Sequence, residues 1–226
     1  LLSLAEQGAS LVVTVDCGIS AFEALETAAE AGLSVIVVDH HQVPAELPPA
    51  VALLDPHRPD CNFPFKGLCA AGVAFMLIAA LRRHLRESGA FTESKEPDIR
   101  VHLDAVALAT VADMVPIQGT NRILVAAGLR LLAQAKRPGL AALMKVSNII
   151  PEQISASDLG YRIGPRINAR GRLDHAGAGV ELMLTQDRDE AEKLARVLDE
   201  ANLTRREIEK NTVDQAIERV EKEQLN

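Results

Sequence analysis

Two short runs rich in β-branched residues, Leu11–Val15 and Ser34–Val38, each stop at an aspartate, Asp16 and Asp39, and residues 20–31 between them have helical spacing. Strand, helix and strand at that separation make a βαβ unit, whose crossover forces the two strands to run parallel in one sheet. Ser20 is the expected N-cap of the intervening helix. Residues 51–54 offer a third strand. Because the strands are parallel, both aspartates belong at the carboxyl edge of the sheet. Ligands bind at that edge in open α/β sheets, since loops and helix N-termini converge there.

The rest of the chain reads as helical. A turn-rich segment between Pro56 and Pro64 leads into residues 68–85, which are apolar enough for a largely buried helix, and residues 88–97 form a polar loop. Helical patterns then cover residues 99–112, 121–135, 140–146 and 176–184. Residues 187–224 contain no Gly and no Pro, and Leu194, Leu198, Ala201, Ile208, Ile217 and Val220 form only a thin apolar stripe. A long helix of that kind is expected to connect domains rather than to fill a core. The expected fold is therefore α/β: a parallel sheet flanked by helices on both faces, followed by a helical region and a long connecting helix. The corresponding division is a domain at residues 1–185 and a connector at 186–226, leading to a second domain outside the chain. The opening LLSLAEQGAS reads as the end of a helix entering a strand, so further sequence is expected upstream.

Composition narrows the function classes. Trp is absent, and one Tyr with five Phe supplies too few rings for a base-stacking platform, so any nucleic acid would be held mainly by its phosphates. The net charge of −7 argues against a protein coated in positive potential and leaves room only for a local basic patch. Cys17, Cys61 and Cys69 have no CxxC spacing, so neither a disulfide framework nor a structural zinc site is indicated. No apolar run approaches the roughly 20 residues that span a bilayer, and no signal-peptide pattern opens the chain. A soluble, cytoplasmic protein is expected.

The chemistry-bearing residues cluster at the strand ends. Asp16 alone is as readily a helix N-cap, and the adjacent His40 and His41 could be loop residues. Carboxylate and imidazole together at neighbouring strand ends, however, suit a divalent transition metal such as manganese. A buried-looking helix ends at Asp113, which would cost several kcal/mol if buried unpaired, and a metal is one candidate partner. Asp104, near the start of that helix, reads as an ordinary first-turn carboxylate. Arg162, Arg166, Arg170 and Arg172 fall within eleven residues, among Gly164, Pro165 and Gly171. They are either a solvated charged loop or a loop that holds phosphate. The acidic remainder of the chain and the glycines favour phosphate, with arginine forks as donors and Asn168 beside them. His57, His84, His102 and His175 have no motif spacing and read as surface or packing residues. Nothing near Cys17 forms a Cys/His pair, so a thiol mechanism has no support.

The segments TVDCG, VVDHH and ALATVADMVP resemble, in order, the second, third and fourth motifs of the DHH phosphoesterase superfamily. TNRILVAAGLRLL, IGPRINARGRLDHAGAGVELMLT and LDEANLTRREIE are similar to segments of its RecJ branch. The resemblance implies that Asp16 bridges two metal ions, that His40 and Asp113 are ligands of one of them, and that His41 contacts the scissile phosphate. Asp39 would then orient an imidazole from behind. The implied reaction is hydrolysis of single-stranded DNA from the 5′ end to mononucleotides, in repair and recombination, with two Mn2+ or Mg2+ ions. Implied partners are single-stranded DNA, a single-strand-binding protein and a helicase. The family's Asp-rich first motif is not in the sequence, so this chain by itself is expected to hold at most one manganese weakly and not to degrade DNA. Two other readings stay open: a phosphodiesterase for short oligonucleotides or cyclic dinucleotides, and a nucleic-acid-binding module without catalysis.

Overall fold

Ser34–Val38 is half-buried at Ser34 and Ile36 and buried at Val35, Val37 and Val38, as a strand with neighbours on both sides must be. The computed structural model, which describes residues 1–91, 96–170 and 177–224, makes this strand, β2, the centre of a parallel sheet. It lies between β1 (Leu11–Val15) and β3 (Ala52–Leu54). The short α1 (Leu2–Glu6) precedes β1, and α2 (Phe22–Glu30) is the crossover. Leu25 and Ala28 of α2 pack with Leu33, Val35 and Val37, joined by Val12 and Leu53. One face of each strand is thus buried against α2. On the other face α3 (Ala70–Glu87) reaches β1 and β2. Leu11, Val13 and Val15 on the edge strand β1 remain about half exposed.

The chain divides into two compact units, Leu1–Gly128 and Leu129–Asn226. The first closes with a tight 3-10 turn at Ile99–His102 and with α4 (Leu103–Ala112), and it includes most of α5 (Gly119–Leu132). Asp98 caps the 3-10 turn by accepting the Arg100 N–H at 3.0 Å. Helix α4 has almost no polar face; Val106, Ala107, Leu108 and Thr110 are all buried, and the Thr110 hydroxyl donates to the Val106 carbonyl at 2.7 Å. Helix α5 can approach it because position 128 is glycine. A Cβ there would lie 2.2 Å from the Leu103 oxygen and 2.3 Å from the Ala107 Cβ.

The second unit is helical: α6 (Pro138–Val146), α7 (Ala156–Asp158), a wide π-helical turn Leu159–Ile163, α8 (Gly164–Arg170), α9 (Gly177–Leu184) and α10 (Arg188–Gln224). Leu140, Leu143, Met144, Leu159, Leu182 and Leu198 are buried in it.

Several sequence expectations change. Helix α2 takes Ala21 as its N-cap with no side-chain cap, so Ser20 does not have that role. The expected division at residues 185/186 falls just before α10, but α10 is not a bare connector. Ala191, Ala195, Leu198 and Asn202 are buried against the second unit, and only from Leu203 onward do Ile208, Val213, Ile217 and Val220 lie half exposed. Among the described residues, no helix is long and apolar enough to cross a membrane.

Substituting Gly128→Ala should destabilise the first unit by about 2–3 kcal/mol, because the new methyl must displace backbone rather than a flexible side chain. Denaturant unfolding followed by circular dichroism measures this, and an unchanged midpoint would show that α4 and α5 can separate freely.

Candidate metal centre

The sheet's ladder runs one residue past the strands. The Asp16 N–H donates to the Val38 carbonyl at 3.0 Å and the Asp39 N–H to the Leu54 carbonyl at 2.9 Å, so both aspartates are fixed by backbone bonds at the carboxyl edge. Asp16 adopts φ +69°, a left-handed conformation that Asp tolerates better than most residues. Gly18, at φ +120°, completes the turn where a Cβ would meet the Thr14 hydroxyl at 2.9 Å.

Asp39 is 1% exposed. Its Oδ2 accepts from the Ile19 N–H at 3.0 Å. Its Oδ1 accepts from the N–H groups of His40 (2.8 Å) and His41 (3.3 Å) and contacts His41 Nδ1 at 2.6 Å. Burial pushes this carboxyl up, but the Ile19, His41 and His40 donors together outweigh burial and hold it below the usual carboxylate range. In return, the hydrogen bond with Asp39 raises the His41 imidazole above its ordinary value, with Asp16 and Asp113 adding to the effect.

His40 carries the centre. Its Nε2 lies 3.1 Å from Asp16 Oδ1 and 3.4 Å from Asp113 Oδ2. These separations are short, yet neither has hydrogen-bond direction, and Nε2 is buried with no hydrogen-bond partner. Donor atoms of Asp16, His40 and His41 lie within 4.8 Å of one another. One imidazole nitrogen and two carboxylates converging without bonding to each other fit a divalent cation of the manganese or magnesium kind. Burial pushes the Asp113 carboxyl up; nearby Asp16 adds to this while His40 opposes it. A cation at the same place would relieve both effects.

Asp113 ends α4, and Met114 turns the chain at φ +60°. Fully buried Asn121 fastens the stretch between Met114 and α5, donating from Nδ2 to the Pro116 carbonyl at 3.0 Å and to the Gly67 carbonyl at 2.6 Å. Nothing in the sequence singles out Asn121, which lacks a carboxylate or imidazole to mark it. His57, expected as a surface or packing residue, instead belongs to a repeated arrangement. The third strand end copies the second: Asp55 comes after β3 as Asp39 comes after β2, and its Oδ1 accepts the His57 N–H at 2.8 Å and lies 3.3 Å from His57 Nδ1. The shared Asp-x-His spacing of residues 39–41 and 55–57 was the available signal.

The arginine cluster differs from its expected form. Residues 164–170 are helix α8 rather than a loop. Arg166 is committed internally, its Nε donating to Asp199 at 2.8 Å and its Nη1 to the Arg162 carbonyl at 2.6 Å. Arg162 pairs with Asp158 and donates to the Ser147 and Asn148 carbonyls just beyond α6. These two guanidinium groups help tie the second unit together. Asn168 is exposed. The Arg170 side chain, Arg172 and His175 lie outside the described residues. Asp104 sits in the first turn of α4 as expected, but buried, with Oδ1 accepting the Ala105 N–H at 2.7 Å.

Comparison with known proteins gives consistent matches. The DHH family, N-terminal domain, matches residues 3–110. The single-stranded-DNA-specific exonuclease RecJ of Dickeya dadantii is 50% identical over 91% of this chain, which spans 36% of that relative's length. The crystal structure of RecJ from Thermus thermophilus in complex with Mn2+ superimposes with a TM-score of 0.81 at 32% identity, covering 95% of this chain and 31% of that one. The same organism's RecJ in complex with Mg2+ gives 0.69 at 30% identity, covering 95% and 30%.

In metal-free protein, Asp39→Asn should lower the His41 pKa towards the ordinary value of 6.5. The Asp39–His41 contact contributes its full stability above the ordinary Asp value and below the ordinary His value, a window of about pH 4 to 6.5. That contribution fades as pH falls through the depressed Asp39 pKa or rises through the raised His41 pKa. Histidine-resolved NMR titration in EDTA tests this, and an unmoved His41 in the variant would refute the assigned coupling.

Proposed function

We propose that this chain, whose residues 3–110 match the DHH family N-terminal domain, is the metal-binding catalytic portion of a RecJ-type nuclease. It spans about a third of the length of the curated relatives it matches. The proposed reaction is hydrolysis of single-stranded DNA from the 5′ end, releasing mononucleotides, in repair and recombination. The observation that carries the reading is the His40 Nε2, buried without a hydrogen bond between Asp16 and Asp113. A cation shared with the two carboxylates would satisfy that nitrogen.

Asp16, His40 and Asp113 would hold one Mn2+ or Mg2+, with Asp16 shared towards a second. Divalent ions bound there lower the cost of forming the nucleophile and of expelling the leaving oxygen. The chain's own residues do the positioning. Asp39 keeps the His41 ring fixed through Nδ1, which leaves Nε2 to meet a phosphate oxygen. With the raised His41 pKa, the ring is held towards its cationic form, the form that attracts phosphate. Asn168, Arg170 and Arg172 remain proposed contacts to the DNA backbone, while Arg166 is reassigned to holding α8 on α10. Single-stranded DNA is the proposed partner, with a single-strand-binding protein and a helicase as further partners and the cytoplasm as the location.

Two measurements test the reading. Titration calorimetry of the chain with Mn2+ should give binding that Asp16→Ala and His40→Ala each abolish. In addition, residues 1–226 can be grafted into the matching segment of the Dickeya dadantii relative and assayed on 5′-labelled single strands. Asp16→Ala in the graft should reduce turnover by at least about 100-fold, because one carboxylate serves both ion positions. Turnover above about a tenth of the unsubstituted graft would sink the assigned role.

A further inference from the structure

The metal centre is open to solvent. The Asp16 and His41 side chains are 60% and 58% exposed, and Met114, bonded directly to Asp113, is 89% exposed. Met114 stands just past the end of α4 at φ +60°, its N–H donating to the Val111 carbonyl at 3.1 Å. Glycine is the usual residue at such a point, because a left-handed backbone strains any residue that carries a Cβ. Here the strained position holds a long apolar side chain that buries almost nothing, so packing among the described residues does not offset the strain. Strain and exposed apolar surface of this kind collect where a protein meets a ligand.

The same connection carries an unused cation. Among the described Lys and Arg side chains of the first unit, all but one have an acceptor: Arg58 is held by Asp60, Lys66 by the Cys61 carbonyl, Arg82 and Arg86 by Glu96, Arg83 by Glu87 and Arg100 by Asp98. The exception is Arg122, whose side chain is exposed and has no acceptor among the described residues. It sits in the first turn of α5, where no acidic residue offsets the partial positive charge of the helix end. Arg122 is also tied to the metal centre. Its N–H donates to the Gln118 carbonyl at 3.3 Å, and neighbouring Asn121 donates to the Pro116 carbonyl at 3.0 Å. Pro116 in turn is at most about 10 Å of chain from Asp113. In a protein of net charge −7, an unpaired guanidinium so near a cation site suits an anion that extends from that site.

We propose that the connection from Asp113 to Arg122 is where the nucleotide beside the scissile bond rests, with Met114 lying against its base and Arg122 pairing with a phosphate next along the strand. The two side chains match the two halves of a nucleotide. A phosphate held at Asp16, His40 and Asp113 brings its sugar and base out over the exposed rim, where Met114 stands. A thioether is unbranched and polarizable, and it contacts flat rings without selecting among them. That supplies a sequence-tolerant contact in a chain with no Trp, one Tyr and five Phe. Arginine grips phosphate equally well in any sequence. Only a base that has left its stack can lie against Met114, so the arrangement favours a single strand.

The inference rests on the nuclease reading of the metal centre, but its test does not need catalysis. Binding of labelled oligothymidylate to the chain is measured in Ca2+ by fluorescence anisotropy, beside an abasic oligomer with the same number of phosphates. Arg122→Gln should weaken both oligomers about 10-fold and lower the slope of log affinity against log salt by about 0.7, as loss of one phosphate contact on a single strand does. Arg83→Gln removes the same charge from the Arg83–Glu87 pair on α3 and should leave the slope unchanged. The unsubstituted chain should prefer oligothymidylate to the abasic oligomer by about 5-fold. Met114→Gly should erase that preference without lowering the melting temperature, because glycine is unstrained at this φ, and Met114→Leu should keep most of it. No binding by the unsubstituted chain, or equal affinity for the two oligomers, would overturn the assignment. So would a slope unmoved by Arg122→Gln or moved as far by Arg83→Gln, or full preference retained in Met114→Gly. Cleavage by the graft bears on the nuclease reading alone, so the two can fail separately.

Discussion

The carboxylate of Asp39 is the point on which the centre depends. It is out of water, negatively charged, and satisfied by four contacts that reach in three directions: to Ile19 in the turn after β1, to the His40 and His41 backbone, and to the His41 ring. Burying a charge is tolerable only when its hydrogen bonds are made. The folded state therefore cannot let any of these partners drift. The backbone that must stay in place for Asp39 is the same backbone that presents His40 to Asp16 and Asp113, so a requirement of folding becomes the geometry of a cation site.

Much of this could be read from residues alone, because it depends on period and position. The spans of β1 and β2, their parallel pairing, and the placement of Asp16 and Asp39 at one edge all came from two apolar runs and the distance between them. What could not be read was anything set by packing between distant segments. Asn121 matters through two carbonyls that lie 54 and 5 residues away in the chain, and its amide carries no mark of that. Asp55 and His57 were legible in principle, since residues 51–54 read as a strand and the Asp-x-His spacing after it repeats that of residues 39–41.

The arginines teach the reverse lesson. Four arginines among glycines suggested free donors, yet Arg162 and Arg166 are consumed by helix ends and by Asp199. In a helical unit the carbonyls at helix C-termini compete for guanidinium groups as strongly as a ligand would. Charge counted along a sequence takes no account of that competition. The thin stripe of α10 misled in a similar way, since alanines at 191 and 195 are small enough to bring helices together without looking hydrophobic.

The ladder that runs past the strands has a consequence for how such a chain can change length. Val15, Val38 and Leu54 stand abreast, and the aspartates that come after them are held by the next rungs. Adding or deleting one residue inside β2 would turn every later side chain to the opposite face and break step with both neighbours at once. The segment from 43 to 47, which is neither helix nor strand, has no such constraint. Insertions and deletions in natural or engineered variants should gather in that segment and be excluded from residues 34–41, so the sheet acts as a ruler that dictates where the gene can gain or lose codons.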